Sequence, residues 1–220
     1  MAVTEMAATE AALVLKGVLL GLAVAMPLGP IGALCIARTL ERGALAGIAG
    51  GLGTALADGS YALLAALGFA AFAGVLDGID LPLRLVGGGF MIWLGIAAFR
   101  PKPPRAAARV GARDLLGTTG ATFLLTIANP ATILSFAALF AGLGLAGESD
   151  GAGDGWMGGA LVTLGVFAGS MLWWVLLSSG VALIRHRLPE GFALWVSRLS
   201  GVILLGFGLW AIGGALLRLA

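Results

Sequence analysis

The chain has 220 residues, of which 60% are hydrophobic and 11% charged, and it carries a net charge of +2. A soluble domain carries roughly twice that share of charge, so the composition excludes a fold whose surface is solvated by water. The basic residues stand between apolar runs, which removes nucleic acid as the reason for the positive excess.

A membrane-spanning helix needs about 20 mostly apolar residues. Six runs meet that need, at about 12–37, 44–72, 82–99, 115–145, 157–184 and 193–217. None alternates apolar and polar residues in the manner of a membrane β-strand. The expected fold is all-α: a polytopic membrane protein of six transmembrane helices in one membrane domain, 1–220. Glu5 and Glu10 precede the first run, where a secretory leader would carry basic residues, so a cleaved signal peptide is not expected. The single cysteine, Cys35, excludes a disulfide framework and reads as a small buried hydrophobe.

In the first run Pro27, Gly29 and Pro30 fall a little past the middle. Proline removes a backbone donor and clashes with the preceding turn, so the helix should kink or unwind there. Lipid cannot satisfy freed backbone groups, so the break must face protein or a water-filled cavity. The half-helix starting near Ile31 would offer free N–H groups and a positive dipole end to a carboxylate. A packing kink with no ligand is the alternative.

In the second run Asp58 is the only acidic residue deep inside any span. A charge there is costly and marks an ion path or a ligand partner. Burial disfavours the charged carboxylate and a bound cation favours it, so such a site can exchange protons for amines. Thr54, Asp58 and Tyr61 stand at i, i+4 and i+7, on one helix face. An aspartate that only stabilises packing is the plainer alternative.

The third run leads into a basic linker at 100–114, stiffened by Pro101, Pro103 and Pro104. The fourth run carries Thr119, Thr122, Thr126 and Asn129 as a polar stripe and a second break at Asn129-Pro130. The hydroxyls either bond back to their own helix or line a cavity opposite Asp58. Ser170, Trp173 and Trp174 on the fifth run are weaker candidates, and His186 falls in a basic loop. No span carries a His, Cys and carboxylate cluster, a Ser-His-Asp set or a phosphate loop. Neither a metal centre, a cofactor nor enzyme chemistry is expected.

The loops alternate in charge. Arg38 and Arg42 fill the first, Asp77 and Asp80 the second, and Arg100, Lys102, Arg105, Arg109 and Arg113 the third. Glu148, Asp150 and Asp154 mark the fourth, and Arg185 and Arg187 the fifth. The positive-inside rule puts the odd loops in the cytoplasm and both termini outside, with Arg84 and Arg218 fitting less well.

The chain also reads as two copies of a three-helix unit, at about 12–99 and 115–217. Gly29-Pro30 answers Asn129-Pro130. The stretch from Gly53 to Asp58, running on to Gly68, shares its glycine spacing with Gly165 to Ser170, running on to Gly180; Tyr61 then falls opposite Trp173. Gly88 and Gly95 match Gly201 and Gly208. Three spans per unit force the second copy to enter inverted, with a broken first helix in each, which is the build of many secondary transporters. Gly50-Gly51 and Gly87-Gly88-Gly89 allow close helix contacts, either within the chain or across a homodimer.

Met26-Pro27-Leu28-Gly29-Pro30-Ile31-Gly32, then Arg38-Thr39-Leu40, then Ala57-Asp58 on a glycine-rich helix, resemble the lysine exporter (LysE/RhtB) family of amino-acid efflux transporters. Thr126-Ile127-Ala128-Asn129-Pro130-Ala131-Thr132 is similar to that family's Asn-Pro motif. Leu28 splits the Pro-Gly-Pro that members commonly carry. The resemblance covers nearly the whole chain. It implies a secondary antiporter in the inner membrane that exports amino acids or similar small metabolites, driven by protons or the membrane potential. Asp58 would then couple or hold an amine, and the break at Pro27, Gly29 and Pro30 would meet the substrate carboxylate. Thr126 and Asn129 would complete the cavity, beside Thr54, Tyr61 and Pro130. A cation or metal-ion exporter and a non-transporting membrane scaffold are the competing readings.

Overall fold

The computed structural model describes residues 2–27, 29–66, 69–99, 111–129, 132, 135–136, 155–187, 189 and 191–217. Among the described residues every regular element is helical. The helices are α1 (Ala2–Ala25), α2 (Pro30–Arg42), α3 (Ala44–Ala66), α4 (Phe69–Ala98), α5 (Ala112–Ile127), α6 (Gly155–Ile184) and α7 (Phe192–Leu217). A short 3-10 turn, Arg185–Arg187, extends α6.

Three segments are long and apolar enough to cross a bilayer on length and composition alone: Glu5–Ala25, Met157–Ile184 and Leu194–Leu217. Their exposed faces carry Leu15, Leu19, Leu164, Leu176, Leu209 and Trp210, the surface that lipid solvates. α3 differs. Its apolar character is diluted by glycines and by Thr54, Asp58, Ser60 and Tyr61. Most of it is buried, because α2, α5 and α6 enclose it.

The first run is broken where the prolines foretold. The last bond of α1 runs from Met26 N–H to Leu22 O at 2.9 Å, and α2 restarts with Gly29 as its cap and Pro30 at its first position. Proline suits that position because the N–H it lacks has no partner there. The fourth run is interrupted as well: α5 stops at Ile127, and Ala128 and Asn129 leave the helix. Pro130 lies outside the described residues, as do residues 100–110 of the basic linker and the acidic residues of the fourth loop.

One boundary corrects the sequence reading. A loop bearing Asp77 and Asp80 was expected between spans at 44–72 and 82–99. Instead α3 ends at Ala66, and α4 runs unbroken from Phe69 to Ala98 with Pro82 inside it. The 30 residues of α4 measure about 45 Å against about 30 Å of hydrocarbon. A helix of that length is longer than the hydrocarbon layer, so an acidic stretch in the sequence need not coincide with a helix end. Packing neighbours let a membrane helix absorb a proline.

The largest interfaces are α1 on α6, α3 on α6, α4 on α7 and α3 on α5. Glycines set several of them. A Cβ on Gly17 or Gly21 would strike the α6 backbone at Val162 and Val166, and one on Gly165 or Gly169 would strike α1 at Val14 and Val18. α4 and α7 cross through Gly88, whose added Cβ would stand 2.9 Å from Gly208 O, and Gly95, at 2.9 Å from Gly201 O. Gly50, Gly51, Gly87 and Gly88 all meet partners within the chain, and Gly89 meets nothing within 4 Å.

The odd-numbered loops share one end of the bundle. Arg42 and Arg113 line the same cavity there. Beside them the α2–α3 turn is made at Gly43, with φ +92, a conformation that favours glycine, and its missing Cβ leaves room 3.4 Å from the Arg185 guanidinium.

Candidate functional site

The two breaks open onto one small cavity of about 50 Å³, room for one or two water molecules. It is lined by Val24 and Ala25 at the end of α1 and by Pro27, Gly29, Pro30, Ile31 and Gly32 across the break. From α3 come Thr54 and Asp58, from α5 and its end Thr126 and Asn129, then Thr132, and from α6 Trp174. The first turn of α2 brings the N–H groups of Ile31 and Gly32, which have no partner inside their own helix. The same lining holds the carboxyl end of α1, so positive and negative helix ends face one space.

Asp58 is 1% exposed. Its Oδ2 accepts a 2.7 Å hydrogen bond from the Ser170 hydroxyl of α6, and its Oδ1 has no hydrogen-bond partner among the described residues. A buried carboxyl oxygen left over in a polar cavity is the feature that invites an ammonium, a proton or another cation. Thr54 donates to Gly50 O on its own helix at 3.3 Å.

Of the residues singled out from the sequence, Asp58, Thr54, Pro27, Gly29, Pro30, Thr126 and Asn129 meet in this cavity. Pro130 is not described. Tyr61 is elsewhere: its ring packs 5.4 Å from Phe136, and its hydroxyl donates to Ile127 O, a carbonyl at the broken end of α5. It braces the second break and does not line the cavity.

The threonine stripe divides. Thr126 donates to Thr122 O at 2.8 Å and reaches the cavity. Thr119 donates to Ala49 O at 2.8 Å and Thr122 to Gly50 O at 2.7 Å, so both tie α5 to α3 and neither lines the cavity. A Cβ on Gly53 would strike Thr119 O, the close approach that brings those hydroxyls within reach. Among the weaker candidates, Ser170 bonds Asp58 directly and Trp174 walls the cavity. Ser170 holds the place in α6 that Asp58 holds in α3 when the shared glycine spacing is followed, and that spacing was the signal available for it. Among the described residues no group of three or more His, Cys, Asp or Glu comes together.

Comparison with known proteins gives three findings. Residues 22–213 match the LysE type translocator family. The chain is 30% identical over 187 residues to the chemotactic transduction protein ChpE of Pseudomonas aeruginosa, covering 80% of this chain and 88% of that one. It is 24% identical over 198 residues to YcgF of Bacillus subtilis, a protein named for amino acid efflux, covering 89% and 93%. No solved structure matches.

Proposed function

The chain belongs to the LysE type translocator family, a multi-pass membrane transporter and not an enzyme, and from that premise we propose that it exports amino acids or similar small metabolites by alternating access. The observation that carries this reading is the cavity itself. One buried carboxyl with a free oxygen faces the N–H end of α2 across a space enclosed by both halves of the chain. An amino acid has an ammonium and a carboxylate, and those two features complement them.

The cavity is too small for an amino acid as it stands, which fits a state closed around the site. Asp58 is the group that exchanges a proton for the substrate ammonium, so the proton gradient drives export. The basic end of the bundle faces the cytoplasm of the inner membrane and both termini face outside. Two inverted three-helix repeats account for the packing. Exchange of the repeats turns the Gly88–Gly208 contact into the Gly201–Gly95 contact, and both are present. The same exchange carries α1 on α6 into α5 on α3, and brings Asp58 against Ser170 on the axis.

The competing scaffold reading draws on the name of ChpE and requires Asp58 to be dispensable. The test is transport by the purified protein in liposomes, using labelled L-lysine, L-leucine and L-threonine with and without a pH gradient. Gradient-driven movement of one of them, lost in Asp58→Asn, supports the exporter. Transport that survives Asp58→Asn with its pH dependence unchanged removes Asp58 from the mechanism. Absence of movement from folded protein removes amino acids as cargo.

A further inference from the structure

A second and larger cavity, about 300 Å³, opens at the basic end of the bundle. Arg38, Glu41 and Arg42 enter it from α2 and Arg113, Asp114 and Thr118 from α5, and α4 and α7 close the other sides. Its volume reaches the range of small-molecule pockets, whereas the cavity at Asp58 does not. Three guanidinium groups and two carboxylates give it formal charges of both signs with one positive in excess. Arg38 and Arg42 are half-buried, so their charges act through a medium less screening than bulk water.

The two cavities are stacked along α5. Thr118 lines the outer one and Thr126 the inner one, eight residues or about 12 Å apart. α2 spans the same gap, with Pro30 and Gly32 in the inner cavity and Arg38 and Arg42 in the outer. Between them the wall is tight. A Cβ on Gly50 would stand 2.9 Å from Cys35 Sγ and 3.6 Å from Thr122. A cavity sized for a small molecule thus leads, through one closed layer, to a site that holds only water or an ion.

We propose that this vestibule is the first docking point for cargo on the basic side and that it recognises an α-amino acid as a zwitterion. Arg38 and Arg113 take the carboxylate, and Glu41 and Asp114 take the ammonium. A planar guanidinium suits a carboxylate through paired N–H donors. Cargo lacking a carboxylate is repelled by the positive excess, so selection for amino acids over plain amines occurs here, ahead of Asp58.

This inference rests on the exporter reading, and the experiment separates the two. Transport of L-lysine and L-leucine into proteoliposomes is measured with cargo offered to the basic side, in wild type, Arg38→Gln, Arg38→Lys and Arg113→Gln. Cadaverine and isoamylamine, the same molecules without the carboxylate, serve as competitors. Arg38→Gln and Arg113→Gln each raise KM roughly tenfold, the effect of losing one charged hydrogen bond, with the maximal rate little changed. Arg38→Lys recovers part of the loss, and the amines compete weakly against wild type. An unchanged KM in both glutamine variants, or amines that compete as well as the amino acids, overturns the vestibule while transport itself stands. Lack of transport by wild type overturns the exporter reading and the vestibule together. If Arg38→Gln does not fold, the exposed Arg113 still decides the matter.

Discussion

The crossing of α4 on α7 and the centre around Asp58 both join one half of the chain to the other, and they are built differently. At the crossing each contact returns in its counterpart: Gly88 meets Gly208, and Gly95 meets Gly201. At the centre the two positions that the proposed repeats would pair touch but differ in kind, a carboxyl on Asp58 and a hydroxyl on Ser170. Packing is served by likeness, since two matched backbone approaches hold a crossing at both ends. Chemistry is served by difference. Two carboxylates at that distance would repel, and two hydroxyls would bring no charge. The crossing should therefore resist added volume, and the exporter mechanism proposed above requires the one carboxyl at the centre.

The largest expected effect comes from moving that charge. Asp58→Ser alone should reduce gradient-driven transport to background. Adding Ser170→Asp returns a carboxyl to the same point from the other side. Partial recovery of proton-dependent flux would show that the two positions are equivalent, and a folded double variant without recovery would show that they are not. Next in size is the crossing. Gly208→Val and Gly95→Val each force a side chain against a backbone carbonyl and should cost about 1–3 kcal/mol. Their melting temperatures in detergent should fall by similar amounts; unequal falls break the likeness drawn above. Gly89→Ala, with nothing within 4 Å, is the control and should stay within about 0.5 kcal/mol. Smaller again is Tyr61→Phe. It keeps the ring against Phe136 and deletes the bond to Ile127 O, at a cost of about 1 kcal/mol. That variant should lose stability and keep its KM for amino acids, whereas a shifted KM would return Tyr61 to the binding surface.

The break before α2 was legible from residue type, because two prolines flank a glycine there, whereas the single Pro82 is carried inside an unbroken α4. Asp58 was legible for the same sort of reason, since a carboxyl in an apolar run has few uses. Tyr61 shares a helix face with Thr54 and Asp58, but helical spacing does not give the reach of its long side chain. Its hydroxyl passes the cavity to meet a carbonyl of another helix. Thr119 and Thr122 show the complementary limit. A hydroxyl stripe has one appearance in sequence whether it meets a cavity or a neighbouring backbone, and only the approach of α3 at Gly53 decides. The second loop was misread because charge in the sequence does not fix where a helix ends, and α4 is continuous through Asp77, Asp80 and Pro82.

The seam between α1 and α6 has a mechanical consequence. At Gly17, Gly21, Gly165 and Gly169 the two helices meet backbone to backbone, and Leu13, Leu20 and Val24 of α1 pack beside that seam against the cluster that holds Val162 and Val166. A meshed interface resists sliding because each knob must leave its hole before the next is reached. In the alternating access proposed above, α1 and α6 would then move as one body, and the break at Pro27 and Pro30 would be the joint between that body and α2.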